Sequence, residues 1–240
     1  PRQYTTGCGR WSQQDTHIRE KVLGPDDSYT AESLNNLALV HQSIGDYAKA
    51  EPLLQRALSI NEKALGPEHP TTAKSLNNLA GVYDSMGDYA KAEPLFQRAL
   101  RINEKALGPE HPATAESLNN LAMLHLRMGD YAKAEPLFQR ALKINEKALG
   151  PDHEETARCL HNFAGLLLEA GNKSGAVAME TKAYQGQLRT LANVLSFTSE
   201  QQRLGFQSTY DPYKVLATMG SAPQIASAVL HHKGVVLDSL

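Results

Sequence analysis

Apolar residues recur along most of this chain at spacings of three and four. Between Pro70 and Met86 they are Ala73, Leu76, Leu79, Ala80, Val82, Tyr83 and Met86, the period of a helix with one buried stripe rather than the alternation of a strand. Thr71 or Thr72 is the expected cap. Gly87-Asp88 then stops one helix and starts the next. Ala90, Ala92, Leu95, Phe96, Ala99, Leu100 and Ile102 lay out a second helix on the same period. It closes at Leu107-Gly108-Pro109, where glycine supplies a left-handed turn and proline forbids continuation. Pro94 is expected in about the first turn of that helix, where its missing N–H is tolerated. The predicted unit is a helical hairpin.

The hairpin is written three times at a spacing of 42 residues: Leu23–Ala64, Leu65–Ala106 and Leu107–Ala148. The second and third copies are identical at 34 of 42 positions and the first and second at 31. A period of this length marks an array in which each hairpin buries its apolar face against its neighbours. A fourth copy starts at Leu149-Gly150-Pro151 and degrades after Gly171, with Lys173 in place of the tyrosine. Upstream, HIREKVL (His17–Leu23) echoes the copy ends SINEKAL and RINEKAL, so residues from about 11 to 22 are expected to be the second helix of a worn earlier repeat.

The run Leu76, Leu79, Ala80, Tyr83, Gly87, Asp88, Tyr89, Ala92, Phe96, Ala99 resembles the tetratricopeptide repeat (TPR) in residue type and spacing. The longer period and the LGPEHP linkers resemble the kinesin-light-chain type; the usual late proline is absent, with Glu104 at that point. The resemblance implies an all-α fold, a right-handed α-solenoid of four TPR units (23–64, 65–106, 107–148, 149–184), flanked by the remnant at 1–22 and a C-terminal helical cap at 185–240. It also implies that first helices line a concave groove and second helices form the back.

Six of the eight differences between the second and third copies fall in the first helix: Lys74/Glu116, Gly81/Met123, Val82/Leu124, Tyr83/His125, Asp84/Leu126 and Ser85/Arg127. Variation gathered on the groove-lining helix is what a ligand-reading surface would show; drift at solvated positions is the alternative. Against it stands a constant pair, Asn35-Asn36, Asn77-Asn78 and Asn119-Asn120, continued as His161-Asn162. An amide offers a donor and an acceptor to an extended peptide. One member of each pair could instead bond the neighbouring repeat, which makes Asn36, Asn78, Asn120 and Asn162 the better groove candidates. Specificity would come from Glu32, Leu39, Gln42, Lys74, Gly81, Asp84, Glu116, Met123, Leu126, Arg127, Arg158 and Leu168. Their charges are mixed, so no carboxylate clamp is expected, and Leu39, Met123 and Leu126 favour a ligand with apolar anchors.

Charged residues make up 21% of the 240, with a formal net charge of −2, so no general attraction to nucleic acid follows. No stretch approaches the roughly 18 apolar residues of a membrane span. Two cysteines, Cys8 and Cys159, build no disulfide framework, and a cytoplasmic setting is expected. Residues 1–10 lack the apolar core of a signal peptide and there is no initiator methionine; the expectation is a fragment of a longer chain. His69, His111 and His153 recur once per linker, a repeat's thickness apart, which suits turn residues and not a shared metal with bonds of roughly 2 Å. Cys159 and His161 are two apart on one helix, so their side chains diverge. His231-His232 suits a helix end. No phosphate loop, dinucleotide fingerprint or triad spacing appears, and no catalytic residue, cofactor or metal is assigned.

Further helices are expected after Tyr184, the first continuing to Leu195 and others between Ser199 and Gly234, as terminal caps. The runs LSFTSEQQRLGFQ (Leu195–Gln207), DPYKVLATMGS (Asp211–Ser221) and AVLHHKGVVLDSL (Ala228–Leu240) resemble the connector of bacterial proteins that join such arrays to a caspase-like CHAT domain. That resemblance implies a sensor or docking arm for a protease domain, itself absent here. The expected function is a non-catalytic scaffold that binds a peptide or protein segment in its groove, with that intramolecular domain as a further partner. The alternative is an architectural module that associates with itself.

Overall fold

The computed structural model describes residues 14–197, and all regular structure among them is α-helix. A first helix, α1, covers residues 14–23. The hairpins follow as α2 (Ser28–Ser43) with α3 (Tyr47–Ala64), α4 (Pro70–Ser85) with α5 (Tyr89–Ala106), α6 (Pro112–Arg127) with α7 (Tyr131–Ala148), and α8 (Glu154–Glu169) with α9 (Lys173–Phe197). The chain divides into two compact units, residues 1–137 and 138–240, with the junction inside α7. The expected cap helices beyond Phe197, the connector-like runs and the residues before position 14 lie outside the described residues.

The first helix of each hairpin starts on a side-chain cap. His69, not Thr71 or Thr72, caps α4: its Nδ1 accepts from the Thr71 N–H at 3.1 Å, and Pro70 takes the first helical position. His111 and His153 repeat the bond on α6 and α8. The first copy has Asp27 there, accepting from the Tyr29 N–H at 2.8 Å. These side chains satisfy one of the orphan donors of a helix N-terminus. Thr72 serves otherwise, its hydroxyl donating to the Gly66 carbonyl at 2.8 Å and tying the linker down. Between paired helices, Gly87 takes φ +79°, while Gly87 N–H bonds Asp84 O and Asp88 N–H bonds Tyr83 O, a Schellman closure that strongly favours glycine. Pro94 sits at the sixth residue of α5, beyond the first turn expected for it. The helix continues past it with one internal bond missing.

In the first unit the core follows the predicted stripes. Ala38, Ala50, Ala80 and Ala92 are wholly buried beside Leu54, Leu79, Val82, Tyr83, Phe96, Leu121 and Leu124. Small side chains at the crossings let helices approach to roughly 8–10 Å while the aromatics fill the remaining space. Met86, placed on the apolar stripe by its spacing, is instead the exposed C-cap of α4.

A buried polar element links successive repeats. Ser75 Oγ on α4 accepts from Asn61 Nδ2 of α3 at 2.9 Å and from Asn35 Nδ2 of α2 at 3.3 Å. Ser117 on α6 does the same for Asn103 of α5 at 3.0 Å and Asn77 of α4 at 3.2 Å. One hydroxyl thus gathers both helices of the preceding hairpin, and buried amides need such partners.

In the second unit α8 packs on α9, and the Phe138 and Phe163 rings stack with centroids 6.0 Å apart. Three positions of this hairpin change together. His161 stands where the earlier copies have asparagine, Glu180 where they have Leu54, Phe96 and Phe138, and Gln187 where they have Asn61, Asn103 and Asn145. His161 Nδ1 meets Glu180 Oε2 at 2.7 Å and its Nε2 meets Gln187 at 3.3 Å. Gly186 replaces the isoleucine of the earlier copies and brings α9 against the linker backbone.

Candidate functional site

The first helices of the hairpins carry the repeated asparagines, and the two members of each pair behave differently. Asn35, Asn77 and Asn119 are buried. Asn35 and Asn77 donate to Ser75 and Ser117 of the following repeat, and Asn35 also donates to Ala31 O at 3.0 Å. Their amides therefore serve inter-repeat packing. Asn36 is exposed, and Asn78 and Asn120 are half-buried. Asn78 Nδ2 donates to Asn35 Oδ1 at 3.3 Å, which ties its amide to the preceding repeat. On α2, α4 and α6 these second asparagines hold one register, an amide per repeat on a common face.

Between α2 and α4 this face deepens into a hollow of about 420 Å³. Asn35, Asn36, Leu39, Lys74 and Asn78 line it, all five singled out by the repeat comparison, and Glu32 joins them. Also present are Ser28, Tyr29, Asn61, Leu65, His69 and Thr71, which sequence reasoning missed because they lie in linkers, helix starts or the back helix. Their one available signal was that each linker must pass beside the first turn of the helix it starts. Asn61 Oδ1 is buried with no protein partner.

Other residues expected on the face are occupied by one another. Gln42 Nε2 donates to Gly81 O at 3.2 Å and to Ser85 Oγ at 3.3 Å, a bridge from α2 to α4. Arg127 of α6 pairs with Asp84 of α4. Glu32 is held by Arg19 of α1 at 3.0 Å. Met123 and Leu126 are half-buried on α6, and Glu116 is exposed there. In the second unit Arg158 pairs with Glu155 on its own helix, His161 is engaged by α9, Asn162 is half-buried and Leu168 is exposed.

Among the described residues, no group of three or more His, Cys, Asp or Glu is placed to hold a metal ion. Burial pushes the Cys159 thiol up to about 12, far from a reactive thiolate. Tyr83 is also raised, first by burial and then by its bond to Glu51 Oε1 at 2.8 Å. No described helix is long and apolar enough to cross a membrane.

An all-α array of repeated hairpins, three of them near-identical in sequence, is an interaction scaffold, and such a fold is generally non-catalytic. The tetratricopeptide repeat pattern matches residues 18–63, 29–105, 72–147 and 114–189. The chain belongs to the tetratricopeptide repeat family. It is similar to a variant of a Podosopora anserina kinesin light chain with nearly identical TPR-like repeats, at 25% identity and a TM-score of 0.63, covering 78% of this chain and 88% of that one. BtubC (BKLC) of P. vanneervenii shares the fold at 21% identity and a TM-score of 0.67, over 98% of this chain and 87% of that one. The apo form of RapI shares it at 19% identity and a TM-score of 0.61, over 85% and 75%. No curated relative matches the chain at significant similarity.

Proposed function

We propose that this chain binds an extended peptide or protein segment across the faces of α2, α4 and α6, and performs no chemistry on it. The observation that carries the reading is the register of Asn36, Asn78 and Asn120, one amide per repeat, beside the hollow between α2 and α4. Adjacent helices are separated by roughly 8–10 Å, the length of about three residues of extended chain. Successive amides can therefore bond the backbone of one strand-like ligand, as in other peptide-recognition grooves. The resemblance of residues 195–240 to a CHAT connector supports a finer role, a cytoplasmic docking arm that presents its catch to a caspase-like protease. The test is selection from a random peptide library, followed by affinities for the selected peptides. Asn36→Ala with Asn78→Ala and Asn120→Ala should weaken all of them at least tenfold with helix content unchanged, whereas undiminished binding would refute the reading.

A line of exposed apolar residues supports the second reading, self-association. Ile44, Met86 and Met128 occupy equivalent hairpin turns and are 54%, 47% and 43% exposed. Self-association without a peptide ligand predicts that Ile44→Ser with Met86→Ser and Met128→Ser lowers the mass seen in sedimentation, and that the library yields no binding peptide.

A further inference from the structure

The peptide-binding face carries five charged groups on α2, α4 and α6 within the first unit: Glu32, Lys74, Asp84, Glu116 and Arg127. Three are neutralised by the protein itself, Glu32 by Arg19 of α1 and Asp84 and Arg127 by each other. Lys74 and Glu116 are exposed, and among the described residues neither has an ion-pair or hydrogen-bond partner. They are the same position of successive copies, 42 residues apart. Lys74 lines the hollow next to Asn36 and Asn78, and Glu116 stands one helix further along the same face. A cation and an anion so placed, with every other charge on the face already matched, form a two-point pattern that a ligand can complement.

The distance between the points sets the ligand's spacing. Neighbouring helix axes lie roughly 8–10 Å apart, and an extended chain advances about 3.3–3.6 Å per residue. Three residues cover the interval. We infer that this face selects an extended peptide carrying an acidic side chain opposite Lys74 and a basic one three residues away opposite Glu116. Leu39, 42% exposed in the wall of the hollow, and the exposed Tyr29 ring supply apolar contact beside the acidic position. The inference rests on the peptide-binding reading above and specifies its ligand.

Two capped nine-residue peptides test it, identical except that one carries Asp-Leu-Ala-Arg and the other Arg-Leu-Ala-Asp at its centre; a third separates Asp and Arg by six residues. Fluorescence anisotropy gives their affinities for the wild-type chain, for Lys74→Glu with Glu116→Lys, and for Asn36→Ala with Asn78→Ala, each checked for helix content. Exposed pairs are individually weak, so the two together should favour one order by about fivefold, less at high salt. The exchanged variant should reverse that preference, and the six-residue spacing should bind no better than the disfavoured order. Equal binding of both orders, or a preference that survives the exchange, overturns the inference. If that happens while the asparagine variant still loses binding, the peptide-binding reading stands without the charge register. If none of the peptides binds the wild-type chain, the charge register falls, and the peptide-binding reading then stands or falls with the library selection.

Discussion

Replacing Ser75 with alanine asks how much the repeat-to-repeat polar link contributes. Its hydroxyl accepts from Asn61 at 2.9 Å and Asn35 at 3.3 Å, and all three residues are buried. Asn35 keeps a second bond, to Ala31 O at 3.0 Å. Asn61 has no second bond for its Nδ2 and is 1% exposed, and its Oδ1 already lacks a partner. Ser75→Ala therefore leaves one amide wholly unsatisfied in the interior and one partly so. A buried polar group stranded in this way costs about 1–3 kcal/mol, so a loss of about 2 kcal/mol is expected. Urea unfolding followed by circular dichroism measures it, with Ser43→Ala as the control, since Ser43 is exposed and bonds only within its own helix. Adding Asn61→Leu to Ser75→Ala should recover part of the loss, because removing both partners of a buried bond is milder than removing one. A Ser75→Ala change within about 0.5 kcal/mol of wild type, the range of ordinary surface substitutions, would refute the accounting.

Two glycines should respond in opposite directions. A Cβ on Gly186 would meet the Pro151 carbonyl oxygen at 2.9 Å, a backbone atom that cannot swing aside, whereas one on Gly81 would meet only Gln42 Nε2 at 3.8 Å. Gly186→Ala is expected to lower the melting temperature, and Gly81→Ala to raise stability by about 0.5–1 kcal/mol through helix propensity. Cys159 should be silent until the fold opens. Burial holds its thiol at about 12 against roughly 8.5 for a free cysteine, so in a Cys8→Ser background alkylation should follow global unfolding at pH 8. The same shift has a sign. The folded state keeps a proton that the unfolded chain loses, so this group's contribution is complete below about pH 8.5 and declines as pH rises beyond it. Labelling at the rate of a model thiol, or stability that climbs above pH 9, would contradict the placement.

Much of the fold is legible in the sequence because the repeats are copies: a stripe such as Ala73, Leu76, Leu79, Ala80 read three times fixes the period. Reading by pattern fails where side chains take unusual duties. Histidine is a rare N-cap, so threonine is the better guess at Thr71 and Thr72, yet Nδ1 of His69 takes the Thr71 N–H and starts the helix earlier. Met86 carries the right spacing but falls on the capping residue, where the helix no longer covers it. On the face of α2, α4 and α6, spacing identifies the helices and the asparagines and favours the second of each pair for the groove, but it does not say what holds the first. That depends on Ser75 and Ser117, whose role emerges only once neighbouring hairpins are in contact. The Asp84–Arg127 and Glu32–Arg19 pairs are equally hidden, since each joins residues on different helices.

Near-identical copies carry a hazard: any second helix could fold onto the wrong first helix with almost the same contacts. The α8–α9 hairpin is protected against that exchange. Glu180 lies only 6% exposed at a place where its siblings carry leucine or phenylalanine, and its carboxylate is met by an imidazole found at that point of α8 alone. Docked on any other first helix of the array, α9 would bury a carboxylate against an asparagine, and stranding such a charge costs several kilocalories per mole. The α8–α9 hairpin thus bears its own address, legible only to the helix it is meant to join.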